Sequence, residues 1–154
     1  MEWGTLLVGA VVALPFEIFG HWCWDRWKKR RKVAAISRKY SFLVRRYTNL
    51  RNGITPTGGT IEITQNGDGT FNVTGFNPDG TTQWESTLSM SPEDDGVGTA
   101  TYRYVSGIDH GTQRVVYFPQ QDVLHVTGTN QSTPEHIEFF HVWQPHIHRG
   151  KIIS

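Results

Sequence analysis

Hydrophobic and polar positions follow two different rhythms along the chain, and the change comes near residue 53. Before it, apolar residues run together or recur at helical spacing. Residues 4–20 form an almost continuous apolar run of roughly 17 residues, the short end of what spans a bilayer. Extended from Trp3 to Trp24, it covers about 30 Å as a helix. Over 33–50 the apolar residues are Val33, Ile36, Tyr40, Leu43, Tyr47 and Leu50, an alternation of three- and four-residue steps that predicts a helical seam. Asn52-Gly53 then reads as a helix stop.

After Gly53 the period becomes two. Ile61 and Ile63 alternate with polar residues, Gly67-Asp68-Gly69 turns the chain, and Phe71 and Val73 follow. Asn77-Pro78-Asp79-Gly80 is a second turn, in which proline presets φ and glycine takes the left-handed position. Trp84, Ser86, Leu88 and Met90 share one face of a third strand, and Ala100, Tyr102 and Tyr104 one face of a fourth. Strands over 114–118, 123–127 and 136–144 complete about seven, the last apolar on both faces. Short strands joined by short turns predict a mainly β domain. An up-and-down antiparallel β-barrel would remove its exposed edges, and a β-sandwich is the alternative. The expected organisation is a transmembrane anchor over 1–27, a basic juxtamembrane helix over 28–52 and a β domain over 53–154.

What flanks the apolar run sets its expected topology. Trp22, Trp24 and Trp27 stand where indole rings favour the headgroup level, followed by Lys28, Lys29, Arg30, Arg31 and Lys32. Such a basic block is held on the cytoplasmic side, so the expectation is a single-pass inner-membrane protein with its N-terminus out. A secretory signal would carry its charge before the run, where only Glu2 stands. Pro15 is expected to kink the anchor. Glu17 either snorkels to the headgroups or faces a neighbouring anchor.

Charge sharpens the division. Eleven Lys and Arg fall within 26–51, whereas the rest of the chain after 51 holds four, against eleven Asp and Glu. A basic stalk suits anionic lipid, while an acidic head repels DNA and RNA. The one cysteine, Cys23, allows no internal disulfide. The seven histidines follow no metal-site signature, and no nucleophile elbow or phosphate loop is present. The expected class is therefore a non-enzyme without cofactor or metal. Its candidate ligand residues are the strand aromatics Trp84, Tyr102, Tyr104 and Tyr117, with Arg103 and Arg114 as the forked donors any anion would need.

The stretches WCWDRWKKRRK (22–32), GGTIEI (58–63), TQWEST (82–87), GTATYRY (98–104), DVLHVTG (122–128) and EFFHVWQ (138–144) give a layout of anchor, basic stretch and glycine- and aromatic-punctuated strands. It resembles the membrane-anchored β-barrel effectors of bacterial cyclic-oligonucleotide (CBASS) anti-phage defence. That resemblance implies a barrel that senses a cyclic oligonucleotide, homo-oligomerisation on binding, and anchors that breach the inner membrane. The family typically carries two spans before the barrel, whereas this chain shows one. The alternative is a constitutive membrane-tethered interaction module without a small ligand.

Overall fold

The computed structural model describes the backbone of residues 4–146 and the side chains of 20–146. The chain divides into two compact units, Met1–Ala35 and Ile36–Ser154. Helix α1 is Gly4–Lys39, and after a 3-10 turn at Ser41–Leu43 eight strands follow: β1 Arg46–Arg51, β2 Thr55–Gln65, β3 Phe71–Phe76, β4 Thr82–Met90, β5 Val97–Tyr104, β6 His110–Phe118, β7 Val123–Asn130 and β8 Glu138–Pro145. Each pairs antiparallel with the next, and β8 returns to β1, so the sheet is a closed up-and-down barrel. The sandwich is thereby excluded.

In the first unit the exposed tryptophans lie under cations. Trp24 and Trp27 stack at 5.0 Å, and Arg26, Lys28 and Arg31 lie 4.9, 5.2 and 3.9 Å from the rings of Trp22, Trp24 and Trp27. Among the described residues no helix is long and apolar enough to cross a membrane. The apolar run, with Pro15 and Glu17, falls on residues whose side chains lie outside the described set.

The expected helix over 28–52 needs correction. It ends at Lys39, and Tyr47 and Leu50 belong to β1. The buried residues of β1 are Tyr47 and Asn49, whereas Leu50 is only half-buried on the other face. A polar residue inward and an apolar one outward hid the period of two, leaving the three-four spacing to suggest a helix. Pairing with both β2 and β8 supplies the ladder bonds that override it. Asn52-Gly53 is accordingly no helix stop. Both residues sit at positive φ, 52° and 73°, in the β1–β2 hairpin.

The two ends of the barrel differ. Where β1 begins, which we call the foot, the last residue of the helical turn and the 3-10 turn drop Tyr40 and Leu43 into the core. The Tyr40 hydroxyl accepts from Gly96 N–H and donates to the Ser91 carbonyl, fastening the β4–β5 loop. Tyr47 Oη donates to the Leu43 carbonyl and accepts from Arg45 Nε, whose guanidinium pairs with Asp122. Phe71, Leu88, Val115 and Leu124, all fully buried, fill the barrel above this plug. Four turns surround the opposite end, the mouth: 52–54, 77–81, 105–109 and 131–137. On the outer wall Thr64, Asn72, Thr87, Thr101, Thr112 and Thr129 stand in consecutive register. A membrane-spanning barrel carries an apolar band in that position.

Candidate ligand cup at the barrel mouth

Small residues opposite large ones build the upper half of the barrel. Gly75 is the cross-strand partner of Trp84, and the indole lies where a Cβ would project. Gly128 receives the ring of Phe139 in the same way. Each ring thus occupies space that a side chain on the neighbouring strand would otherwise take. The result is a cup of about 340 Å³ walled by Trp84, Tyr102, Tyr104, Phe139 and Trp143, with Gln113 at its base and Arg51, Asp109 and His141 toward the rim. The rings brace one another: Trp84 and Trp143 stack at 6.0 Å, and Tyr102 meets Phe139 edge-on at 5.7 Å.

Polar groups at this level are incompletely paired. Gln113 Oε1, Trp143 Nε1 and Asn49 Oδ1 are buried and have no hydrogen-bond partner among the described residues. Residue exposure is 7 %, 1 % and 7 % respectively, so bulk water does not serve them either. Asn49 faces a smaller adjoining space of about 160 Å³, which shares Arg51, Trp84, Tyr104 and His141 with the cup. An unmet buried polar group costs on the order of 1–3 kcal/mol, so these atoms mark the cup as a candidate binding surface.

The electrostatics are mixed. Burial, then neighbouring Tyr104 and Asp109, pushes the Tyr102 phenol up to about 12, so it remains a donor at neutral pH. Burial and Asp109 likewise raise Tyr104. The four turns and the terminal residues of the adjoining strands carry Asp79, Asp109, Glu135 and Glu138 against Arg51. Arg51 is the cross-strand partner of His141 and makes no ion pair among the described residues.

Burial first, then the Arg51 charge, lowers the His141 pKa below its ordinary 6.5. The unfolded chain therefore takes up a proton near pH 6.5 that the folded chain refuses. His141's contribution is full above that pH and is lost as pH falls below it. Melting temperature is expected to drop between pH 7.5 and 5.5, and His141→Gln to shrink the drop; an identical drop in the variant would remove His141 as its cause.

The structure brings only half of the sequence-predicted site together. Trp84, Tyr102 and Tyr104 meet in the cup. Tyr117 lies at the foot, donating to Asp122 Oδ1 at 3.0 Å and packing on Phe42 at 4.5 Å. Arg103 and Arg114 point outward from β5 and β6. Arg103 stands opposite Glu85, and Arg114 opposite Thr99, four residues away on β5, or about 13 Å along the strand. They neither converge nor reach the interior. Arg51, Gln113, His141 and Asn49 escaped notice because β1 read as helix and because polar residues at inward positions carry no hydrophobic signal. Gln113, alternating with Gly111 and Val115, was the readable clue. No family model, curated protein or solved structure matches the chain.

Proposed function

We propose that this chain is a membrane-anchored sensor–effector of anti-phage defence. Its barrel takes a nucleotide-type signal, a cyclic oligonucleotide, at the mouth. Its N-terminal segment anchors it in the bacterial inner membrane, N-terminus out, and the anchors oligomerise to disrupt the bilayer. The observation that carries the reading is the cup: aromatic walls, unpaired buried polar atoms and an arginine at the rim. Base–aromatic stacking contributes on the order of 1–3 kcal/mol per base, and a guanidinium is the donor suited to a phosphate. A barrel filled to its mouth would have favoured the constitutive interaction module; here side chains fill the foot and leave the mouth open. Anchoring is supported by the exposed tryptophans under cations, an arrangement suited to the headgroup layer. Acidic groups at the lip disfavour any general affinity for DNA or RNA.

The test is the full-length protein in lipid nanodiscs, titrated with cyclic di- and trinucleotides while melting temperature and the number of copies per disc are followed. A ligand at a hundred times its dissociation constant is expected to stabilise the fold by about 2.7 kcal/mol and to raise the copy number. A flat response across the panel would transfer support to the interaction module.

A further inference from the structure

We infer that the cup is a single-ring site: it admits one planar, uncharged ring with a cyclic amide edge, read at its base by Gln113 and Trp143, while the ligand's anionic group stays outside at Arg51. This rests on the reading of the mouth as a ligand site and specifies its chemistry. The volume of about 340 Å³ lies at the low end of ligand cavities, about 300–1,000 Å³. One ring system with a substituent fits that space; a whole cyclic oligonucleotide does not.

The unpaired atoms define the edge. Trp143 Nε1 can only donate, so it requires an acceptor. Gln113 Oε1 accepts, so it requires a donor. Both residues line the cup. A cyclic amide carries a C=O and an N–H on one planar edge, the acceptor and the donor that these two atoms call for. Asn49 Oδ1, in the adjoining space, accepts from a further N–H on a ring that carries one. Tyr102, Phe139, Trp84 and Trp143 give the cup an aromatic lining against which a planar ring packs.

Charge settles the orientation. The base of the cup has amide and indole groups and no cation, so an anionic group placed there would be desolvated without a partner. Among the described residues the one guanidinium lining the cup is Arg51, at the end of β1 and exposed. Asp109 and Glu138 also line the opening and repel an anion from most of it.

The experiment uses full-length protein in nanodiscs and four probes: uridine 5′-monophosphate, uridine, ribose 5-phosphate and phenyl phosphate. Binding is followed by calorimetry and by quenching of tryptophan fluorescence. The first two are expected to bind. Ribose 5-phosphate, which lacks the ring, and phenyl phosphate, which lacks the amide edge, are expected to bind at least tenfold more weakly. Gln113→Leu is expected to weaken uridine about tenfold or more, since it leaves the ring's N–H unpaired. The same change is expected to hold or raise the melting temperature of the unliganded protein, because it removes an unmet acceptor. Gln113→Met serves if the leucine variant does not fold. Arg51→Ala is expected to weaken the monophosphate and leave uridine unchanged.

Phenyl phosphate binding as tightly as the monophosphate, uridine binding unaffected by either Gln113 variant, or no probe binding would each overturn the inference. If cyclic nucleotides raise the copy number but ignore Gln113→Leu, the inference fails and the proposed function stands. If uridine binds as described and no cyclic nucleotide changes the copy number, the inference stands and the proposed signal fails.

Discussion

Leu43→Ala is expected to cost the barrel about 3 kcal/mol, within the range for truncating a fully buried leucine. Leu43 is 0 % exposed and belongs to the 3-10 turn rather than to any strand. It nevertheless packs in the same cluster as Tyr47, Ile63 and Phe71. A cavity there cannot be closed by sliding the turn inward. The Leu43 carbonyl is held by the Tyr47 hydroxyl at 3.0 Å, and Tyr47 is tied in turn to Arg45 and so to Asp122. The surroundings relax little, so most of the cavity cost remains. A fall in melting temperature of roughly 10 °C or more is the expected reading for a unit of this size. Phe42→Ala is the internal comparison. Phe42 is partly exposed against Tyr117 on the outside of the turn, and its loss is expected to cost distinctly less. Equal losses would mean that the 3-10 turn closes the foot by general coverage and not through Leu43.

Gly75→Ala is expected to cost about 2–3 kcal/mol, the upper part of the range for overpacking, and to disable the cup as well. The added methyl would project into the Trp84 indole, whose other face stacks on Trp143. Trp84 is 6 % exposed and cannot swing into solvent without abandoning that stack. Two observables separate this from ordinary destabilisation. Near-ultraviolet dichroism, which reports the Trp84–Trp143 pair, is expected to change at temperatures where the barrel remains folded. Gly67→Ala, in a turn where an added methyl meets nothing within 4 Å, is expected to leave both stability and dichroism near wild type. A Gly75→Ala protein with unchanged dichroism would show that the indole does not depend on the glycine for its place.

Much of the barrel was legible because most strands obey one rule. In β4, Trp84, Ser86, Leu88 and Met90 alternate with exposed residues, and all four are buried. The turns were as readable. Asn66-Gly67-Asp68-Gly69-Thr70 and Asn77-Pro78-Asp79-Gly80-Thr81 close the two ends of β3 by the same bonds. The asparagine N–H donates to the threonine carbonyl, and the aspartate accepts from the threonine amide and hydroxyl. These contacts span five residues, so local chemistry suffices to specify them.

Where the deciding partner was distant, the linear pattern failed. β1 exists because β2 and β8 pair with it, and its partners on β8 lie 90 to 98 residues away. Its inward Asn49 and half-buried Leu50 reverse the usual pattern. β8 reads as apolar on both faces because Phe139 and Trp143 point in, while outward Phe140 and Val142 pack beside His125 and Leu50 on neighbouring strands. Arg103 and Arg114 are neighbours by strand order, yet the register separates them and the parity of the pleat turns both outward.

The division of labour follows the range of the forces. By itself the chain's order of residues determined the strand period, the turn chemistry, the up-and-down connectivity and the split between basic stalk and acidic head, because each depends on neighbours a few positions apart. Only closure of the barrel decided which polar side chains face inward together. Arg51 beside His141, Gln113 level with Phe139 across Gly128, and Trp143 against Trp84 are juxtapositions that no local stretch of sequence contains. Register sets them, and register is a property of the whole sheet, fixed by the burial of every inward residue at once.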